Sequence, residues 1–370
     1  MAPALNRRLR YLPLAIGAAA LIAGFWTGLA RIGIAVPDLA GLDAWHGPLM
    51  ISGFFGTLIS LERAVALNRP LAYAAPASSA AGALALLFNA PALSIVLFIL
   101  ASAALTIATA IILWRLPTLF TAVLTLAAAA WGVGTLAWLG GWPMGEVTGW
   151  WLAFLVLTIA AERLELSRLL APSRRAQAFF VIAIALIVAG AARGELASDS
   201  APLTALGYIA CTGWLVLHDI ARRTVRQSGQ TRFSATCMLA GYFWLGVTGL
   251  YLLVSPPASA AFAYDAAVHG IAIGFVLSMV FGHALIILPA VTGVMVRYHP
   301  ALYGALALLH VSVALRIVSD FFELVGPRAA SGPITIAALL FFAGTVASAS
   351  IKRRTGSGLR ASPPEPKAKS

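Results

Sequence analysis

Between residues 11 and 351 the chain is a succession of apolar runs, each about as long as a bilayer is thick. Twelve can be marked, roughly at 11–31, 46–67, 72–90, 92–113, 118–140, 147–166, 176–193, 202–221, 232–254, 265–290, 299–323 and 333–351. A helix of about 20 residues, rising 1.5 Å per residue, crosses the hydrocarbon core. Such a helix satisfies its own backbone polar groups, which lipid cannot do. With 61% hydrophobic and 10% charged residues, the composition belongs to a polytopic membrane protein. The expected fold is all-α, with about 12 transmembrane helices in one domain over residues 1–351. The polar, Pro/Ser-rich stretch 352–370 is expected to be a disordered cytoplasmic tail. The basic, then apolar, start lacks a small-residue cleavage site and reads as a retained first span.

The formal charge of +12 does not point to nucleic acid, because the cations lie in short clusters between apolar runs. With the N-terminus inside, the inner segments hold 21 of the 25 Lys and Arg residues. Arg31, Arg193 and Arg328 fall in outer loops, and Arg316 falls within a span. This bias puts both termini in the cytoplasm and requires an even number of spans. The setting expected is a bacterial inner membrane. Cys211 and Cys237 have no metal-type spacing and read as small apolar fillers.

Orientation gives the polar residues depth. The second and tenth runs both go inward, so His46 and His269 lie near the outer face at similar depth. Two such histidines suit axial ligation of a b-type haem, each offering iron a neutral nitrogen. Gly47, Gly53, Gly270 and Gly274 would leave room for the macrocycle, and Arg316 is placed to meet propionates. The bland alternative is that these are interfacial histidines beside Asp43 and Asp265, with glycines that serve helix packing. Met50 and Met279 share faces with the two histidines and are candidate thioether ligands for iron or copper, although methionine in an apolar helix is more often packing.

A second cluster forms at the inner level from Glu62, Arg63, Glu162, Arg163 and His283. These residues would pair across helices and neutralise one another. Alternatively they line a proton path, a second ligand site or a substrate gate, with His283 as the titrating member.

Taken together, Trp45, His46, Met50, Gly53 and Phe54 in the second run, with His269, Gly274, Ser278, Met279, Thr292 and Gly293 in the tenth, resemble the NnrS family. These are haem- and copper-containing membrane proteins linked to nitric oxide, distantly like haem-copper oxidase subunit I. The resemblance implies a haem-binding protein acting in the response to nitric oxide, or in haem- or copper-linked redox function in denitrification-type metabolism. It implies haem b and possible copper as cofactors, and a small gas or respiratory-chain components as partners. The family's second histidine and glutamate are replaced by Pro48 and Leu49, its late arginine by Ile286, and its last histidine by Val291. The oxidases' copper histidines in the sixth and seventh spans are absent, so oxygen or nitric oxide reduction at a haem-copper centre is not expected. The alternatives are a proton-coupled secondary transporter using the inner cluster, and an assembly partner for a respiratory complex. Half-to-half repeats typical of transporters are not evident.

Overall fold

The computed structural model describes residues 3–37 and 41–351. The expected tail, 352–370, lies outside the described residues. Among the described residues twelve long helices follow in series: α1 (Pro3–Arg31), α2 (Leu42–Leu67), α3 (Pro70–Leu87), α4 (Pro91–Arg115), α5 (Leu119–Leu139) and α6 (Met144–Ser167). Then come α7 (Arg174–Ala192), α8 (Pro202–His218), α9 (Gly229–Val254), α10 (Ala263–Thr292), α11 (Leu302–Phe321) and α12 (Val325–Ser348). Eleven are long and apolar enough to span a membrane, and α8, at 17 residues, is just at that length. The protein is an all-α polytopic membrane protein.

The break between the third and fourth spans falls at Asn89, whose φ of 55° ends one helix before Pro91 starts the next. One boundary differs usefully from expectation. α12 starts at Val325 rather than near 333, so Pro333 lies inside it and Arg328 belongs to its first turns. Residues 325–332 are too polar to read as part of a span; within them Arg328 and Ser331 turn towards other helices, whereas Val325 is exposed.

Helices in lipid associate through close packing more than through expulsion of water. α6 is buried on nearly every side, and its Trp151 and Phe154 are fully enclosed with Trp131 of α5. Small residues allow these approaches: a side chain at Gly56 would meet Trp131, and one at Gly134 would meet Trp151.

Both ends of the described chain lie on one face. At the start of α1, Arg10 donates to the Ala290 carbonyl and the Tyr11 hydroxyl to that of Thr292, at the end of α10. Just beyond, β1 (Met295–Val296) pairs antiparallel with β2 (Ser350–Ile351), pinning the end of α12 to the same level. By the charge bias that face is expected to be the cytoplasmic one and the opposite face the outer one.

Candidate functional site

The outer ends of α1, α2, α10, α11 and α12 surround a cavity of about 410 Å³, a size typical of cofactor sites. His46 and His269 both line it, with ring centroids 6.2 Å apart and ring planes inclined by 25°. His46 Nδ1 lies 2.7 Å from the Gly24 carbonyl of α1. His269 Nδ1 lies 2.9 Å from the Asp265 carbonyl and 3.2 Å from Asp265 Oδ1. Carbonyl and carboxylate oxygens only accept, so Nδ1 carries a proton in both rings, and in the neutral form of each ring Nε2 keeps its lone pair. A metal-binding imidazole is commonly held this way, its second nitrogen fixed by an acceptor.

The backbone around each ring is specialised. Both α2 and α10 widen from α to π geometry just inside their histidine, over Leu49–Phe55 and Gly270–Leu277. Such turns insert a residue and recur at functional sites. Gly28 of α1 lies beneath the His46 ring, where a Cβ would stand 2.9 Å from Cε1.

Charge accumulates at the outer rim. Arg316 grips Asp265 with two bonds of 2.7 and 2.8 Å. Arg328 reaches Asp265 at 3.2 Å and Asp320 at 2.8 Å, while its guanidinium lies 4.3 Å from the Phe262 ring centroid. Arg31 lines the same cavity, bonds the Asp43 carbonyl at 3.3 Å, and has no carboxylate partner among the described residues. Among the described residues the rim therefore carries three cations, with Asp265 as the one carboxylate lining the cavity.

Of the residues singled out from sequence, His46, His269, Met50 and Arg316 line this one cavity. Met279 does not. It is buried against Gly241 of α9.

The inner five also converge. Arg63 of α2 hydrogen-bonds Glu162 of α6 and lies 3.7 Å from Glu62. Arg163 donates to His283 Nε2 at 2.8 Å, and His283 Nδ1 faces the Met279 carbonyl at 3.1 Å. His283 is thus a neutral imidazole, holding its own proton on Nδ1 while it accepts from a guanidinium. Asp219 joins as a buried carboxylate 3.9 Å from Arg163, its other oxygen capping the Ala221 amide at 2.6 Å.

Sequence reasoning gave no role to Arg328, Arg31, Asp320 or Asp219. A charge inside or at the end of an apolar run is itself the signal that could have found them. It does not say which partners meet. His310 accepts from Trp244 Nε1 at 2.8 Å and stands apart from both clusters.

The fold and its outer cavity define a polytopic membrane protein with a paired-histidine pocket. Residues 8–351 match the family described as Domain of unknown function (DUF8744), and the chain belongs to that family. No curated protein and no solved structure matches it.

Proposed function

We propose that the protein binds a b-type haem in the outer cavity, between His46 and His269. The observation that carries this reading is the histidine pair itself. The two rings line one cavity with centroids 6.2 Å apart, close enough that both would be able to hold one metal centre through Nε2. The fit extends to the surroundings. Both Nε2 atoms are free to ligate, Gly28 leaves room beside one ring, and Arg31, which has no carboxylate partner among the described residues, offers a cation to an acidic group. Arg316 is largely committed to Asp265, so it supports His269 more than it awaits a propionate.

When bound, haem supplies one-electron redox chemistry. The chain's residues hold and tune it: Asp265 increases the electron-donating character of His269, and the apolar wall of Phe25, Ile51 and Phe55 limits water. Met50 is the available thioether should copper bind as well. A bacterial cytoplasmic membrane, and a role in the nitric oxide response or in redox steps of denitrification-type metabolism with a gas or respiratory partner, rest on the resemblance of the second and tenth spans to the NnrS family. Haem content of the purified His46→Ala and His269→Ala variants tests the reading. Loss or spectral change in each is expected, and a normal haem complement in both would contradict it.

The convergence of five ionisable residues at the inner face favours one other reading, a proton-coupled transporter. Proton-driven uptake by vesicles that is abolished in Glu62→Gln would favour it over the first.

A further inference from the structure

At the outer ends of α10, α11 and α12 two carboxylates meet two guanidiniums, and the four groups are not equivalent. Asp265 accepts two bonds from Arg316, one contact from Arg328 and one from His269 Nδ1, so its oxygens are fully engaged. Asp320 is wholly buried, at 0% side-chain exposure. Its Oδ1 accepts from Arg328 Nε at 2.8 Å, and its Oδ2 is enclosed without any hydrogen-bond partner. The carboxylate beside it is Asp265, another acceptor, held on the same Arg328 guanidinium. A buried carboxylate oxygen facing a carboxylate is costly, and one proton removes the cost by turning the orphan acceptor into a donor.

We propose that Asp320 is the proton-holding group of the outer cavity, taking up a proton when negative charge enters between His46 and His269. The haem reading is needed only for the identity of that charge. The groups facing Asp320 are Asp265 on α10, Arg316 on its own helix, Arg328 on α12 and Tyr251 on α9. With both acids ionised, Asp265 and Asp320 balance Arg316 and Arg328, and added negative charge has no spare partner within this group. Asp265 has no free oxygen, and each histidine must keep Nε2 bare to act as a ligand. Asp320 Oδ2 is the position where a proton can be added without breaking an existing bond. With haem present, one electron from a donor such as dithionite converts ferric to ferrous iron. One proton from water then goes to Asp320 Oδ2, and the net charge of the site stays constant.

Infrared spectroscopy of the purified protein, titrated through the neutral range in H₂O and D₂O, tests the proton site. The expected result is a carboxylic acid C=O band that shifts in D₂O, is absent in Asp320→Asn, and survives at a shifted frequency in Asp320→Glu. Absence of the band, or its persistence in Asp320→Asn, overturns the proposal. The midpoint potential tests the coupling. It should fall by up to about 59 mV for each tenfold drop in proton activity in the wild type, and become nearly flat in Asp320→Asn. Equal slopes in the two proteins would overturn it. A preparation that binds no haem refutes the haem reading, and the infrared band then still decides whether Asp320 holds the proton.

Discussion

At the residue scale the outer site depends on how the His46 ring is seated. Its Nδ1 is bonded to the Gly24 carbonyl, and the ring rests on Gly28 of the same helix. Gly28→Leu should push the ring aside and strongly lower haem content, while detergent-solubilised protein keeps a normal elution profile. Unchanged haem content would show that the ring is not held there. Asp265→Asn addresses the other ring. It keeps the backbone acceptor at His269 but removes the charge beside Nδ1, so the midpoint potential should rise while haem remains bound. At the inner face, Arg163 is the cation beside the buried carboxylate of Asp219 and the donor to His283. Arg163→Met leaves that carboxylate without its cation, and a loss of stability of about 3–5 kcal/mol is expected on breaking such a buried pair. Reversible unfolding in mixed micelles measures it. A loss too small to detect would mean that Asp219 is neutral or otherwise balanced.

At the element scale, α2 and α10 each tie an outer histidine to an inner polar group, with a π turn between. The extra residue sets the relative facing of the two ends. Deleting Ile273 should restore α geometry and turn His269 by about 100° relative to His283. One end must then lose its partners. Reduced haem content or lost Arg163–His283 pairing is expected, with helical circular dichroism unchanged. Retention of both would mean that the π turn has no part in registration. These two helices also mark where sequence reading stops. The positions of His46, His269, Glu62, Arg63 and His283 were legible because ionisable groups in apolar runs stand out. Their depth followed from the charge bias. The π turns were not legible, since nothing in the apolar run Gly270–Leu277 distinguishes them from ideal helix. Face arithmetic at 100° per residue therefore does not carry from His269 to His283. Met279 shows the same limit: helical spacing put it near His269, whereas packing against Gly241 places it in the core. Arg328 was assigned to a loop because helix starts facing protein are more polar than the lipid-facing runs that define spans.

At the scale of the whole molecule, the serial apolar runs and the cation bias specify the architecture, and the contacts of Arg10, Tyr11 and the β1–β2 pair bring both ends to one face. In intact cells, an impermeant thiol reagent should label Ser259→Cys, on an outer loop, and spare Gln227→Cys, on an inner one. The native Cys211 and Cys237 are buried and should not interfere. The reverse pattern would invert the topology and place the paired-histidine cavity on the cytoplasmic side. The role of that cavity turns on whether it holds haem. The most direct test is the absorption spectrum of protein purified after expression with ample haem, oxidised and then dithionite-reduced, with a pyridine haemochrome assay of the same sample. Stoichiometric b-type haem with sharp reduced bands is predicted. A featureless spectrum would contradict haem binding, and the paired histidines would then have to be explained by packing alone.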